Sequence, residues 1–444
     1  MKFYSLTSTL FLALAGLGFA AYMSAYSEDE AVHKLDMASK KSSKQERSTV
    51  LTAASAASHK TAQETSVIMN DAAISQAWGL KKSDALRAWG VSQGSRKIVV
   101  AVIDTGADVR HEDLSHNFWK NPGETGFDKA GRDKSNNGID DDANGFVDDV
   151  NGWNFVSNNP DLTDNHGHGT HIAGIIGAEA GNGKGIAGIA PQVSLMVLKY
   201  YDPKVAGTDN LKNTVAAIHY AVKMHANIIN YSGGGVEYSQ EEHDAIEVAR
   251  KQGILFVAAA GNERSNSDKH KYFPADYGLS NIISVTAIDP STEVLPSSNY
   301  GTETVDIAAP GQNILSTLPN NAYGYMTGTS QATAFVTGAA VLVMAHKEQF
   351  QAEDVKKYIL ATGDSESSLL AKCRTSKLLN LYKALTILDS GVGASGVIAA
   401  NNIGDLTFTA TAVNSRGSDS SREISSFGKS LMQNLAGQKV QTKN

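Results

Sequence analysis

The sequence predicts an α/β fold of three layers, in which helices flank a mainly parallel sheet. Five apolar runs have the length of strands, and three stretches with helical patterning separate them along the chain. A strand that is apolar on both faces is typical of a parallel sheet that is covered on both sides. Strands and helices that alternate along a chain favour the same arrangement, because parallel neighbours are joined by crossover connections.

The predicted elements cover most of the central part of the chain. The strand-like runs are residues 97–103, 194–198, 228–231, 254–260 and 282–287. The helical stretches are residues 170–178, 211–225, 240–252, 330–347, 354–362 and 378–388. The helix at 330–347 is apolar on nearly every face, so we expect it to be buried. Sites in parallel sheets lie at the carboxyl ends of strands, which is where Asp104, residues 232–235 and Asn262 stand.

At 444 residues, the chain is long enough for one large domain with extensions. We assign residues 76–390 to that domain. We predict that residues 1–25 are a signal peptide, because the apolar run at 10–23 is shorter than the about 20 residues that span a bilayer. An uncleaved anchor is the alternative. Residues 26–75 are polar and predict a pro-segment or linker, and residues 391–444 predict a C-terminal tail or small appendage.

Charge and cysteine content narrow the class of protein further. The net charge of −7 argues against nucleic acid as a partner, because a basic surface is missing. Cys373 is the only cysteine, so an intrachain disulfide is impossible and stability must come from packing and bound ions. With the leader, this predicts a protein that is secreted or held in the periplasm or cell envelope. We expect a monomer without a stable membrane span once the leader is cleaved.

Three short motifs supply an acid, a histidine and a serine. Asp104 ends a strand-like run, His168 lies between two glycines, and Ser330 opens the apolar helix. A serine hydroxyl needs a base to take its proton, and a buried carboxylate orients an imidazole for that purpose. Alone, each residue has an ordinary structural explanation, such as a turn acid or a helix N-cap. Together, in the order Asp, His, Ser, they predict a serine hydrolase.

The histidines also raise the alternative of a zinc site, because His166, His168 and His171 lie within six positions. A two-histidine zinc helix places its ligands one turn apart with a carboxylate between them. Here Gly167 and Gly169 interrupt the helix and no acid separates the histidines. Glycines beside a histidine favour an exposed imidazole that the backbone can approach closely.

Asn262 is the candidate for stabilising a tetrahedral intermediate. It follows the apolar run at 254–260 and a glycine. Acyl transfer needs donors aimed at the oxyanion, and a side-chain amide can supply one while the Ser330 backbone N–H supplies another. The alternative for Asn262 is a plain turn residue after glycine.

Four motifs together resemble the signature blocks of the subtilase family, the subtilisin-like serine proteases. They are Asp104-Thr105-Gly106, His168-Gly169-Thr170-His171-Ile172-Ala173-Gly174, Gly261-Asn262 and Gly328-Thr329-Ser330. The resemblance covers residues 76–390 and implies a seven-stranded parallel sheet and hydrolysis of peptide bonds through an acyl-enzyme. By motif, Asp104 orients His168, His168 is general base and then acid, Ser330 is the nucleophile, and Asn262 donates to the oxyanion.

The resemblance also implies positions that bind substrate. They are Ser232, Gly233, Gly234, Ala260, Gly261 and Tyr272. The segment at 231–235 looks like a strand that pairs with the peptide backbone, which supplies affinity with little sequence preference. Tyr272 is expected to form the floor of the first pocket and to narrow it, whereas the small Gly233 predicts a broad neighbouring subsite.

The chain departs from the family pattern beside the nucleophile. Gln331 stands where methionine is common, which predicts tolerance to peroxide at that site. Ala334 stands where proline is usual, which relaxes the first helical turn without removing a catalytic group. The Phe273-Pro274 pair looks like the cis-proline block of the family, so a cis peptide bond is expected there.

An acidic loop at residues 136–149 predicts a structural calcium site. Acids and amides alternate before a glycine, as in a calcium loop, although the terminal glutamate of that motif is missing. We expect side-chain oxygens from Asp140, Asp142, Asn144 and Asp149 and a backbone oxygen from Phe146. The alternative is a solvated acidic turn, which must tolerate the repulsion of its carboxylates.

Three other functions share these features. An esterase would use the same catalytic groups on a different bond, so only substrates separate it from a protease. A catalytically silent subtilase could act as a calcium-dependent binding module. A calcium-dependent adhesin would rest on residues 136–149 alone.

Overall fold

The computed structural model describes residues 70–387 of the chain. In chain order its strands are β1 (Gly94–Asp104), β2 (Gly152–Asn154), β3 (Gln192–Lys199), β4 (Ile228–Tyr231), β5 (Leu255–Ala259), β6 (Ile282–Ile288), β7 (Ile307–Pro310), β8 (Ile314–Leu318), β9 (Ala322–Met326), β10 (Asp364–Ser365) and β11 (Lys377–Leu378). Within the described range, nine of them form one sheet in the order β10-β11-β7-β6-β5-β4-β1-β3-β2. Every neighbouring pair is parallel except β10 with β11, and β8 and β9 form a separate antiparallel hairpin.

Helices lie on both faces of the sheet. In chain order they are α1 (Trp78–Lys82), α2 (Ala85–Ala88), α3 (His168–Gly177), α4 (Asn210–Lys223), α5 (Gln240–Lys251), α6 (Thr329–His346), α7 (Ala352–Thr362) and α8 (Leu381–Thr386). Helix α6 is buried along almost its whole length, as its apolar sequence predicted. No helix between residues 70 and 387 combines the length and apolarity needed to cross a bilayer.

The strand residues alternate between two apolar cores, one on each face of the sheet. In β1, Val100 and Val102 belong to the core that includes α3 and α6, whereas Ala101 and Ile103 belong to the core that includes α4 and α5. Successive side chains of a strand point to opposite faces, so a strand buried on both faces is apolar at nearly every position. This confirms the three-layer α/β fold predicted from the apolar runs.

The sheet has nine strands, where the resemblance implied seven. The seven longer strands from β7 to β2 form one parallel run, and the two additional strands, β10 and β11, have two residues each at one edge. Strand β11 also shortens the helix predicted at 378–388, because Leu378 pairs with Ala308 of β7. The helix begins after Asn380, whose side chain accepts a hydrogen bond from the Lys383 N–H at 2.9 Å.

Candidate active site

The Asp104 carboxylate and the His168 imidazole form a hydrogen-bonded pair at the carboxyl end of β1. His168 Nδ1 lies 2.7 Å from Asp104 Oδ1. The side chains are 15% and 4% exposed, respectively, so water screens the contact little. The Thr105 N–H also donates to Asp104 Oδ1 at 2.8 Å and helps to fix the carboxylate. A bond at Nδ1 leaves Nε2 as the imidazole nitrogen that can take a proton.

A glycine after the histidine makes this close approach possible. A Cβ atom at position 169 would lie 2.0 Å from the Gly106 carbonyl oxygen and 3.1 Å from Asp104 Cβ. A side chain there would therefore push the start of α3 away from the end of β1. Gly169 therefore allows Asp104 and His168 to lie close together. This agrees with the expectation that a glycine beside the histidine permits close backbone approach.

Asp164 is a buried carboxylate that connects these two elements, and the sequence reasoning missed it. Its Oδ1 accepts from Thr105 Oγ1 at 2.8 Å, from the His166 N–H at 3.0 Å and from the Gly167 N–H at 2.7 Å. Its Oδ2 accepts from the Thr170 N–H at 2.9 Å and from Thr170 Oγ1 at 2.7 Å. Asp164 therefore binds the start of α3 to the residue that follows Asp104. An acid shortly before a helix is the sequence signal that could have identified it.

The other two histidines of the motif have different surroundings. His171 is fully buried, and its Nε2 lies 3.0 Å from the Ile314 carbonyl oxygen and 3.2 Å from that of Gly324. Burial lowers the pKa of His171 from 6.5 to about 3, so the ring is neutral and donates from Nε2. The ring centroid of His166 lies 6.2 Å from that of His168. Burial, and then the charge of His168, lower the pKa of His166.

Ser330 lies in the first turn of α6, next to the carboxyl end of β4. Its Oγ donates to the Ser232 carbonyl oxygen at 3.0 Å, and Ser232 Oγ donates to the Ser330 carbonyl oxygen at 3.3 Å. Ile103 and Tyr231 are paired in neighbouring strands, so Asp104 and Ser232 follow side by side at a strand spacing of about 4.8 Å. The fold thus brings Asp104, His168 and Ser330 to one edge of the sheet.

Asn262 contacts Thr329, the residue before Ser330, with its amide in a fixed orientation. Asn262 Oδ1 accepts from the Thr329 N–H at 3.1 Å and from Thr329 Oγ1 at 3.3 Å. Because a backbone N–H can only donate, the oxygen must be the end that faces Thr329. The Nδ2 group is then the end available to an oxyanion near Ser330. Thr329, which the sequence reasoning did not weigh, sets this orientation.

Neighbouring groups lie close to the glycines of the predicted substrate segment, residues 231–235. A Cβ on Gly233 would lie 2.6 Å from the Tyr200 hydroxyl, and a Cβ on Gly234 would lie 2.4 Å from the Phe273 carbonyl oxygen. Gly235 and Phe273 exchange two backbone hydrogen bonds, at 2.8 and 2.7 Å. The Phe273-Pro274 peptide bond is cis, as predicted.

The other predicted substrate positions lie nearby. Ala260 and Gly261 directly follow β5, and Gly261 has a φ of +99°, which favours glycine. Tyr272 is buried, with 8% of its surface exposed. Glycine is thus required at several positions of this region by contact or by backbone conformation.

Three carboxylates converge in the acidic region. Oxygens of Glu124, Asp142 and Asp149 all lie within 4.8 Å of one another, and Glu124 and Asp149 are fully buried. Burial, and then neighbouring carboxylates, raise the pKa of Glu124, and burial is also the main cause that raises the pKa of Asp149. Glu124 lies outside the 136–149 motif, so the pattern within the loop could not reveal it.

The remaining predicted metal ligands have other contacts. Asp140 accepts from the backbone N–H groups of Asn144, at 3.0 Å, and Gly145, at 2.7 Å, and so holds a turn. Asn144 Nδ2 donates to Asp149 Oδ2 at 2.9 Å, while its Oδ1 accepts from the Phe146 N–H at 2.7 Å. The Phe146 ring packs edge-on against Tyr220, with ring centroids 4.9 Å apart. The carboxylates of Asp142 and Asp149 thus belong to the cluster with Glu124, while Asp140 has hydrogen bonds to the neighbouring turn.

Comparisons of the sequence and of the structure with known proteins both find proteases. The sequence model of the subtilase family matches residues 95–410. Thermitase from Thermoactinomyces vulgaris is 33% identical over 314 residues, which are 70% of this chain and 96% of thermitase. The major intracellular serine protease of Bacillus subtilis is 35% identical over 271 residues, which are 61% of this chain and 76% of that protein. A solved structure of a Pseudoalteromonas arctica protease, 26% identical, superimposes with a TM-score of 0.56 and covers 71% of this chain and 98% of that one.

These matches place the chain in the class of serine-type endopeptidases. More particularly, the chain belongs to the subtilase family, as its four motifs implied. Some relatives are much longer, since subtilisin-like protease 2 of Plasmodium falciparum, 32% identical over 338 residues, is matched over 22% of its own length and 74% of this chain.

Proposed function

We propose that the protein is a secreted serine endopeptidase that hydrolyses peptide bonds through an acyl-enzyme on Ser330. The observation that carries the proposal is the 2.7 Å contact between His168 Nδ1 and the buried Asp104 carboxylate, at the sheet edge where the helix that holds Ser330 begins. Export rests on the apolar run at residues 10–23, which lies outside the described residues. The residue roles below belong to the same proposal.

The chemistry follows from the roles of the four residues. A turn of the Ser330 hydroxyl from the Ser232 carbonyl to His168 Nε2 lets the imidazole take its proton as Oγ attacks the scissile carbonyl carbon. Asp104 stabilises the resulting imidazolium, and Asn262 Nδ2 and the Ser330 N–H donate to the oxyanion. His168 then gives the proton to the leaving amine. Water attacks the ester by the same route, returning the acid product and the free serine.

Substrate would bind as an extended strand. We expect it to pair with the backbone groups of Ser232, Gly233 and Gly234 and of Ala260 and Gly261. The contacts of Ser232 with Ser330 and of Asn262 with Thr329 support this expectation, and such pairing supplies affinity without strong sequence demands. Protein and peptide substrates fit this arrangement. That the enzyme acts as a monomer stays a prediction, which light scattering would test.

A fluorophosphonate probe tests the proposal directly. The wild type should be labelled at Ser330 and should digest casein, whereas Ser330→Ala should do neither. Ser291→Ala, which alters an exposed hydroxyl, is the matched control and should behave like the wild type. Labelling without casein digestion would favour an esterase. A folded, unlabelled wild type would end the proposal and favour the calcium-dependent binding module.

We further propose that Glu124, Asp142 and Asp149 hold a structural calcium ion. The fit rests on one buried oxygen, Glu124 Oε2, that has no hydrogen-bond partner among the described residues. Oxygens that share one calcium at 2.3–2.6 Å lie up to about 5 Å apart, which agrees with the 4.8 Å limit for this cluster. The ion would offset repulsion between carboxylates and brace the loop at 136–149, and no catalytic step depends on it.

Thermal unfolding with and without calcium tests this site. Calcium at about 100 times its dissociation constant should add about 2.7 kcal/mol to the free energy of unfolding. Glu124→Gln keeps the size of the side chain and removes its charge, so this gain should disappear. Glu112→Gln, at an exposed acid, should retain it. An equal gain in the wild type and Glu124→Gln would refute the assignment.

A further inference from the structure

In a bound substrate, the side chain of the residue before the scissile bond can enter only one gap beside Ser330. Two segments lie beside Ser330. The Ser232 carbonyl oxygen accepts from Ser330 Oγ at 3.0 Å, and Asn262 Oδ1 accepts at 3.1 Å from the N–H of Thr329, the residue before Ser330. An acyl group on Ser330 Oγ, with its oxygen toward Asn262, lies between these segments. Its side chain must therefore enter the gap between residues 232–234 and residues 260–262.

The ring of Tyr272 already occupies that gap. A Cβ built on Gly234 would lie 2.5 Å from Tyr272 Cε1, and a Cβ built on Gly261 would lie 2.9 Å from Tyr272 Cδ2. Cε1 and Cδ2 are opposite corners of a tyrosine ring, so the ring spans the distance from one segment to the other. With 8% of its surface exposed, Tyr272 is a packed part of the wall and not a mobile surface residue.

Hydrogen bonds hold the ring in place through the backbone on both sides of it. The Tyr272 N–H donates to Asp276 Oδ2 at 2.8 Å. The next residue, Phe273, exchanges two hydrogen bonds with Gly235, at 2.8 and 2.7 Å. To vacate the gap, the ring would have to rotate inside a buried environment while these bonds fix its Cα.

The far side of Gly261 is closed as well. A Cβ on Gly261 would lie 2.4 Å from Glu263 Oε2 and 2.5 Å from Asn299 Nδ2. Those two groups are hydrogen-bonded to each other at 2.6 Å. A large substrate side chain therefore cannot pass behind the 260–262 segment to avoid the ring.

We propose that Tyr272 fills the pocket for the residue that precedes the scissile bond and restricts cleavage to sites after glycine, alanine or serine. The inference rests on the proposed endopeptidase function and names its substrate class. Tyr272 acts here as a specificity-determining residue, because exclusion by a packed ring discriminates substrates by size without touching the catalytic groups.

A series of peptide p-nitroanilides tests the inference on the full-length active protein. The peptides share one sequence and differ only in the last residue, which is alanine, leucine or phenylalanine. The wild type should cleave the alanine peptide with a kcat/KM about 100-fold above that for phenylalanine. Tyr272→Gly should reverse the preference by raising kcat/KM for phenylalanine about 100-fold, while the alanine peptide changes less than about 10-fold.

Two variants serve as controls. Tyr272→Phe keeps the ring and should keep the wild-type preference, which separates ring volume from the hydroxyl group. Tyr238→Ala removes an exposed ring that also contacts Phe273, with centroids 5.3 Å apart, and should leave the preference unchanged.

The outcomes separate the inference from the function on which it rests. A wild type that is labelled at Ser330 and cleaves phenylalanine as fast as alanine overturns the inference and leaves the peptidase intact. A wild type that neither reacts with the probe nor cleaves any peptide overturns both. If Tyr272→Gly fails to fold, the cleavage sites of the wild type in denatured casein test the proposal instead. Cleavage after glycine, alanine or serine would support it, and cleavage after large residues would refute it.

Discussion

Replacing Asp164 by asparagine should destabilise the protein and reduce its activity together. Three donors contact Asp164 Oδ1, so the asparagine oxygen is expected to take that position and Nδ2 to face the Thr170 N–H and Oγ1. The hydrogen bond from the Thr170 N–H is then lost, and Thr170 Oγ1 no longer donates to a buried charged acceptor, at about 1.5–3 kcal/mol each. The expected loss is about 3–6 kcal/mol in the free energy of unfolding.

Urea denaturation measures this loss, and peptide hydrolysis measures its effect on His168. A displacement of about 1 Å at a catalytic group costs about 100-fold in rate, so kcat should fall by roughly that factor. Asp161→Asn is the matched control, because Asp161 accepts from the N–H and Oγ1 of Thr163 at 3.0 and 2.6 Å but is exposed. A loss below about 1 kcal/mol for Asp164→Asn, or an equal loss for both variants, would refute the reasoning.

Three further predictions concern neighbouring residues. The pKa of His171 falls from 6.5 to about 3 on burial, so its contribution to stability is complete above pH 6.5 and is lost as the pH falls toward 3. Urea denaturation between pH 7 and 3 should show a loss of roughly 5 kcal/mol that is missing in His171→Gln, and identical pH profiles would contradict this. Asn262→Leu should lower kcat about 100- to 1,000-fold in steady-state assays with little change in KM, and an unchanged kcat would exclude Asn262 from the oxyanion site. Gln331→Met should make activity sensitive to hydrogen peroxide, which the wild type should tolerate, and equal inactivation rates would show that oxidation elsewhere dominates.

The layered fold could be predicted because its signal is local. Strands buried on both faces, such as β5 and the 100–103 part of β1, are apolar without interruption, and a run of that kind is visible in any window of the sequence. The edge strands β10 and β11 could not be found this way, because two residues carry no periodicity. Strand β11 forms by pairing with β7, about 70 residues earlier in the chain, and β10 then pairs with β11.

The residues of the candidate site also fall into two groups, those that a local sequence motif reveals and those that only the folded structure brings together. Asp104, His168, Asn262 and Ser330 stand in short motifs whose glycines mark close backbone approach, so the sequence could name them. Glu124 could not be named, because its relation to Asp142 and Asp149 exists only after the loop has folded. An isolated acid in a polar stretch looks like any solvated residue, and burial without a partner is a property of the tertiary structure.

The hairpin of β8 and β9 has a consequence for how the enzyme fails under stress. Ser316 Oγ donates to the His171 carbonyl oxygen at 2.7 Å, and Thr317 Oγ1 donates to that of Thr170 at 2.8 Å. Among the described strands, β8 and β9 pair with each other and not with the main sheet, so the hairpin can open as a local unit while that sheet stays intact. Its opening would release the first turns of α3 and separate His168 from Asp104. Heat inactivation should therefore precede melting of the central sheet, with amide exchange in β8 rising at the temperature where catalysis stops.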